Sequence, residues 1–205
     1  MQSTEILSTW KKLVLSKYLQ ENEQKIVEGE LRCDQLKSYL RERNLPSTVW
    51  ISKDATRITG KIQYDLSTNQ LIGLVLPFNK YGMSISYSFL ARSAKEIKFH
   101  FNEERTASLI YVIMAQPIAK HTGPFSLSLF GTDNKFTSED IIARWKFILK
   151  ELVKFGINLF GFSSDGDLRL LKAMRMEIHL EISQMYLKLE FDIKSTVVQC
   201  YIYWQ

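Results

Sequence analysis

The sequence predicts an α/β fold in which a mixed sheet is flanked by helices and preceded by an N-terminal helical arm. Three observations predict it. Strand-like segments cluster between residues 49 and 76. A helix-period run from Asp140 to Phe155 follows further strands. That run passes through Gly156 straight into an apolar stretch, Ile157 to Phe162, short enough to be a buried strand. Strands, then a helix, then a buried strand is a pattern of layered folds with one core.

Taken in order, residues 4 to 28 have an apolar face formed by Ile6, Leu7, Trp10, Leu13 and Leu15, which predicts a helix ended by Gly29. A second helix is expected over 31 to 43, with Leu31, Leu36 and Leu40 inward and Arg32, Asp34, Lys37 and Arg41 outward. Asn44-Leu45-Pro46 ends it, because the residue before proline is pushed out of the α region. Val49 to Ser52 reads as a short strand closing at Lys53-Asp54. Lys61 to Asp65 alternates, and Leu71 to Leu76 is nearly all apolar, which predicts a central strand. Leu66 to Asn69 joins these two as a hairpin turn.

Ser93 to Thr106 contains a helical pattern with Ala94, Ile97 and Phe101 inward. Leu109 to Met114 and Phe125 to Phe130 are further apolar strands, closed by Gln116-Pro117 and by Gly131. The run from 138 to 155 carries the clearest helix signals. Thr137 and Asp140 form an approximate capping box, and Ile141, Trp145, Ile148 and Leu152 form the buried stripe. Gly156 suits the residue just past its end. A last helix opens at Leu168. Beyond it, Ile178, Leu180 and Ile182 alternate, and Tyr186 to Phe191 and Val197 to Trp204 read as strands. The expected organisation is an arm over 1–46, a domain over 47–176, and an atypical tail over 177–205.

The composition, 45% hydrophobic and 24% charged, is that of an ordinary globular chain. No apolar run approaches the ~18 residues of a membrane span, so no membrane partner is expected. The N-terminus lacks the basic-then-apolar order of a secretory signal. Cys33 and Cys200 are far apart and fit no metal or disulfide spacing, which points to a reducing, nuclear or cytoplasmic compartment. The net charge of +5 is compatible with DNA as a partner, although the basic residues are interleaved with acidic ones. The histidines, His100, His121 and His179, are isolated, and the glycines form no phosphate-binding loop.

Chemistry concentrates at two strand ends. Asp54 closes the first strand, and Asp165-Gly166-Asp167 follows the strand that ends near Phe162. If those strands are parallel neighbours, the carboxylates of Asp54 and Asp165 meet at the sheet end and offer the hard oxygen ligands that Mg²⁺ or Mn²⁺ prefers. The same residues also serve as turn formers and helix caps, so both readings stand at this point.

A family resemblance bears on the choice. Asp54 is followed by a hydroxyl and a basic residue; Tyr64-Asp65-Leu66 with Thr68 and Leu71 to Val75 forms a hairpin; Ala107 to Gln116 is a strand; Gly123-Pro124-Phe125 opens the next; and a helix and strand lead to Asp165-Gly166. In that order, over residues 48 to 175, these pieces resemble the RNase H-like catalytic domain of DDE-type transposases of the P-element kind. The resemblance implies metal-dependent DNA cleavage and strand transfer, Mg²⁺ or Mn²⁺ as cofactor, and a nuclear site of action. It gives the first two acidic roles to Asp54 and Asp165, with Asp167 as a neighbouring metal ligand. Arg57, Lys61, Arg169 and Lys172, with Lys53 and Arg175, flank that end as candidate phosphate contacts.

Departures are specific. Ala55 stands where relatives often have Glu, and the family's third acid has only Glu177 and Glu181 as helix-like candidates. The family's zinc module and nucleotide-binding insertion have no counterpart here. The resulting expectation is a transposable-element-derived protein, inactive as a truncated chain, with the arm as a possible self-association surface. The alternative is a domesticated nucleic-acid- or protein-binding module without catalysis.

Overall fold

A computed structural model describes residues 26–164, 167–180 and 200–203. The elements in chain order are α1 (Cys33–Glu42), β1 (Thr48–Arg57), β2 (Gln63–Asp65), β3 (Gln70–Ile72), α2 (Ala94–Glu103), β4 (Leu109–Pro117), β5 (Phe125–Thr132), α3 (Ser138–Lys154), β6 (Asn158–Ser164), α4 (Leu168–Leu180) and β7 (Cys200–Tyr203). The main sheet has the order β5-β4-β1-β6-β7, and β2 pairs with β3 in a separate two-stranded sheet. In the main sheet β4 is antiparallel to β1 and to β5, β6 is parallel to β1, and β7 is antiparallel to β6. The architecture is therefore a mixed α/β one.

Alternation along β1 sorts the sheet into two faces. Val49, Ile51 and Lys53 are buried on one face, whereas Trp50, Ser52, Asp54 and Thr56 lie half-buried on the other. α3 covers the first face. Its Trp145 stacks on Phe162 of β6 with ring centroids 5.1 Å apart. The sequence stripe Ile141, Trp145, Ile148 and Leu152 is buried throughout. α1 joins the same side: Tyr39 packs on Phe125, which sits opposite Ala115 and, through it, Ile51. α4 packs along α3, with Leu170, Ala173 and Met174 in the shared core.

Both ends of α3 match their sequence signals. Thr137 accepts a hydrogen bond from the Asp140 N–H, and Asp140 accepts one from the Thr137 N–H, completing the capping box. At the other end the N–H of Ile157 donates to Leu152 and that of Gly156 to Val153, the paired bonds of a Schellman stop. The helix is thus forced to turn at Gly156 and feed β6 back beneath itself.

The edge strand β5 is not left open. The N–H of Gly29 donates to the Leu129 carbonyl and that of Arg32 to Leu127, while Glu28 Oε1 accepts from the Gly131 N–H at 2.7 Å. Residues 28 to 32 therefore block pairing with another chain along this edge.

Several expectations need correction. The first strand does not close at Lys53-Asp54 but runs to Arg57, because β4 pairs with it as far as Arg57 opposite Leu109. Leu71 to Leu76 is not a central strand. Only Gln70–Ile72 is strand, and Leu74 and Leu76 are apolar because they leave the hairpin and enter the core. β5 runs past Phe130 to Thr132. In α2 Ile97 packs on the core, but Ala94 and Phe101 are exposed; the second inward position is His100, whose ring meets Phe89 at 5.2 Å. Residues 178 to 180 continue α4 rather than starting a strand. Residues 26 to 28 are coil and turn, not the end of a helix. The helix expected over 4 to 25, the strand over 186 to 191 and the first part of that over 197 to 204 lie outside the described residues. Within the latter, Cys200–Tyr203 form β7, and Trp204 again lies outside the described residues.

Candidate functional site

The geometry that matters lies where β1 and β6 run side by side. Their parallel register pairs Ile51 with Phe162 and Ser52 with Ser163. Asp54 follows two residues after Ser52, on the half-buried face, with its Oδ2 accepting a hydrogen bond from Thr56 Oγ1 at 3.2 Å. Thr56 lies two residues further along the same strand face, so alternation alone brings the hydroxyl to the carboxylate. Asp165 lies outside the described residues, as do Gly166 and the third-acid candidate Glu181.

Asp167 is described, and it is fully engaged. Its Oδ1 accepts from the Arg169 N–H at 2.8 Å and from Arg169 Nε at 3.1 Å, and its Oδ2 accepts from Nη2 at 2.6 Å. These bonds make it the N-cap of α4 as well as half of an ion pair. The hydrogen bonds from Arg169 hold the Asp167 carboxyl below its usual range, against a smaller opposing effect of burial and with help from the charge of Lys53. Arg169 also donates to the Asn134 carbonyl and lies over the Phe136 ring at 4.6 Å. Both residues are thus built into the start of the helix.

The other basic candidates divide by environment. Arg57 and Lys61 are exposed, at the end of β1 and in the loop after it. Lys172 is exposed on α4 and stands 3.9 Å from Glu139. Arg175 is exposed as well. Lys53, expected at a solvated rim, is 8% exposed on the helix-covered face, with its ammonium 5.4 Å above the Tyr111 ring. Alternation explains the difference: the residue next to a half-exposed Asp54 must point the other way.

Sequence reading missed Arg144. It is 1% exposed, beneath the sheet, with its guanidinium 4.9 to 5.5 Å from the rings of Phe78, Tyr111, Phe130 and Phe136. Nε donates to the Gly82 carbonyl at 2.8 Å, and Nη1 and Nη2 have no partner among the described residues. Its signal in the sequence was weak: an Arg one turn after Asp140 on an amphipathic helix looks like an ordinary flank.

Among the described residues no three His, Cys, Asp or Glu side chains group closely enough to hold a metal. No helix among them is long and apolar enough to cross a membrane.

No protein-family model and no curated protein sequence matches the chain. A solved structure, the Drosophila P element transposase strand transfer complex, superposes with a TM-score of 0.42 and 12% identity. The superposition covers 85% of this chain and 32% of that one, so the present chain spans about a third of its neighbour's length.

Proposed function

We propose that this chain is a transposase-like protein with an RNase H-like sheet, and that Asp54 and Asp165 form a divalent-metal site acting on DNA phosphodiesters. One observation carries the reading. β1 and β6 are adjacent and parallel, Ser52 stands opposite Ser163, and each aspartate follows its serine by two residues. Equal offsets in a parallel register bring two residues level, and the even spacing keeps both on the face of their serines. The sheet order, with β4 antiparallel and β6 parallel to β1, supports the RNase H-like part of the reading, as does the ordered sequence resemblance over 48 to 175.

The donor chemistry fits. Two carboxylates at the end of a sheet are hard oxygen ligands suited to Mg²⁺ or Mn²⁺. Thr56 Oγ1 holds one Asp54 oxygen and leaves the other free to ligate. A bound metal of this type would supply charge stabilisation at a phosphodiester and lower the pKa of a water or hydroxyl nucleophile. The chain's own part is to fix Asp54 against Thr56 and to present Arg57, Lys61 and Lys172 to phosphate as exposed cations. Asp167 is left out, since Arg169 occupies both of its oxygens. That same engagement favours a second reading, DNA binding without turnover, because it takes Asp167 away from the proposed pair of Asp54 and Asp165.

The test is thermal denaturation with and without Mn²⁺, beside nicking of supercoiled DNA. A metal at a hundred times its dissociation constant stabilises by about 2.7 kcal/mol. The expected rise in melting temperature disappears in Asp54→Asn and in Asp165→Asn. A rise that persists in both variants, or none in the parent, would end the proposal. Nicking that depends on both aspartates decides for catalysis over binding alone.

A further inference from the structure

We propose that the chain's own residues 4–25 dock on the open face of the main sheet and shield Asp54. Strand pairing defines that face. Asp54 pairs with Val112, Thr56 with Ile110 and Ser52 with Met114, and Val112 in turn faces Leu129, so these residues share one side of β1, β4 and β5. The rings of Trp50 and Phe160, with centroids 5.5 Å apart, extend the same side onto β6. A diagonal apolar band results. It runs from Leu129 and Ile110, past Asp54 and Val112, to Met114, Trp50 and Phe160, and it is half-buried or exposed along its length. α1 and α3 pack on the opposite side of the sheet, and α4 packs along α3. A sheet face that carries a contiguous apolar band calls for a second layer above it.

Position, length and charge select the occupant. The described chain begins at Ile26, and Ile26 and Val27 line a cavity of about 340 Å³ together with Ile110 and Leu129, at one end of the band. The residues before Ile26 therefore meet the sheet at that corner. The band covers four residues along β4 and three strand spacings from β5 to β6, a diagonal of about 20 Å. Residues 6–19 carry the apolar positions Ile6, Leu7, Trp10 and Leu13, and as a helix they span about 21 Å. The polar run Gln20 to Lys25 joins them to Ile26. Apart from Glu5, the charged residues between 4 and 19 are Lys11, Lys12 and Lys17. Asp54 lies in the middle of the band, and a carboxylate covered by apolar groups needs a cation beside it. Attachment at Ile26 gives this segment a local concentration on the order of millimolar, which a second copy reaches only in concentrated solution.

Met114 is a built-in reporter of the cover. In the full chain, the paired substitutions Trp10→Asp and Leu13→Asp are expected to speed its oxidation by hydrogen peroxide roughly fivefold, read by peptide mapping. Met83 and Met174, buried in the core, should oxidise at unchanged rates. Equal Met114 rates in parent and variant overturn the proposal. The parent chain offers a second measurement that needs no variant. A water-soluble carbodiimide joins a lysine amine to a carboxylate beside it as an amide, the reagent leaving as a urea. The expected product links Asp54 to Lys11, Lys12 or Lys17 within one chain. In an equal mixture of isotope-labelled and unlabelled protein, a link between the two kinds of chain assigns the face to a second copy and overturns the proposal. Asp54 recovered without any link to these lysines overturns it as well.

A third arm rests on the metal site proposed above, whereas the first two do not. Where the parent shows a Mn²⁺ shift, the doubly substituted chain should reach it at roughly fivefold lower metal, because the face is then free more of the time. An unchanged midpoint would show that the segment does not shield Asp54. Since oxidation and cross-linking involve no metal, failure of the Mn²⁺ experiment and failure of the docking remain separate results.

Discussion

Replacing Gly82 by alanine should destabilise the protein through the buried Arg144. Gly82 has φ +68°, and a Cβ built there would stand 2.5 Å from the Asp140 carbonyl oxygen. The left-handed backbone alone costs an alanine about 1–2 kcal/mol. The overlap with a helix carbonyl cannot be relieved by a side-chain rotation, so the backbone at 82 must move. Its carbonyl is the acceptor for Arg144 Nε at 2.8 Å, the one hydrogen bond that guanidinium makes among the described residues. A bond to a charged group is worth about 1.5–3 kcal/mol. The sum is about 2.5–5 kcal/mol, a large share of the roughly 5–15 kcal/mol typical of a domain. A melting temperature lower by roughly 10 °C follows for a chain of this size.

The decisive assay is a double-mutant cycle by urea denaturation, with Arg144→Met as the second substitution. In the Arg144→Met background, Gly82→Ala should cost about 1.5–3 kcal/mol less, because the acceptor no longer has a charge to hold. Equal costs in the two backgrounds would refute the coupling. A Gly82→Ala protein within about 0.5 kcal/mol of the parent would refute the geometry itself.

Three further outcomes follow from the same structure. Thr137→Ala removes the hydroxyl half of the α3 capping box and should cost about 1 kcal/mol, seen as a lower urea midpoint with an unchanged slope. Burial pushes the Glu28 carboxyl up, more than the backbone bonds from Gly131 and Gly73 pull it down. A carboxyl raised in the folded state contributes stability that is present below the ordinary carboxylate range and is lost as pH rises through the raised value. Glu28→Gln keeps an oxygen for Gly131 and removes this dependence; parallel stability–pH curves for the two proteins would contradict the assignment. Burial, with the nearby charges of Glu151 and Asp34, pushes the Cys33 thiol up to about 12. Peptide mapping after iodoacetamide at pH 8 should find Cys33 unmodified in the native protein and modified in urea, since the thiolate is the reactive form.

What the sequence disclosed and what it hid follow from how far each force reaches along the chain. α3 was legible almost to the residue, because its cap, its stripe and its stop are each decided by residues about four positions apart or closer. Segments whose state depends on a distant partner were not. β1 looked five residues long because its second half, from Asp54 to Arg57, is polar or small; it is a strand because β4 hydrogen-bonds to it. Leu71 to Leu76 looked central because apolarity records burial and not pairing, and Leu74 and Leu76 are buried without belonging to the main sheet. Arg144 was invisible because four aromatic residues from three separate regions surround it, and no local pattern announces them.

The same reasoning sharpens the candidate site. From the sequence, Asp54 and Asp165 were two acids 111 positions apart, and only the strand order could make them neighbours. The order β4-β1-β6 sets their two strands side by side, and the proposed site adds a finer requirement on the Ser52–Ser163 pairing, since a slip of one residue would change which face each following position takes. The β1–β6 register does shift once, between Val49 and Trp50, before the pairs that lead toward Asp54. Without that shift the alignment of Thr48 with Asn158 would set Ser52 level with Phe162, and the offset between the two aspartates would become odd. The local irregularity at Trp50 is therefore what makes a shared carboxylate face possible. Deleting Phe160, by contrast, would make Leu159 and Gly161 consecutive while keeping Trp50 opposite Gly161 and Ser52 opposite Ser163, so Mn²⁺ stabilisation should survive the deletion, and its loss would refute the register argument.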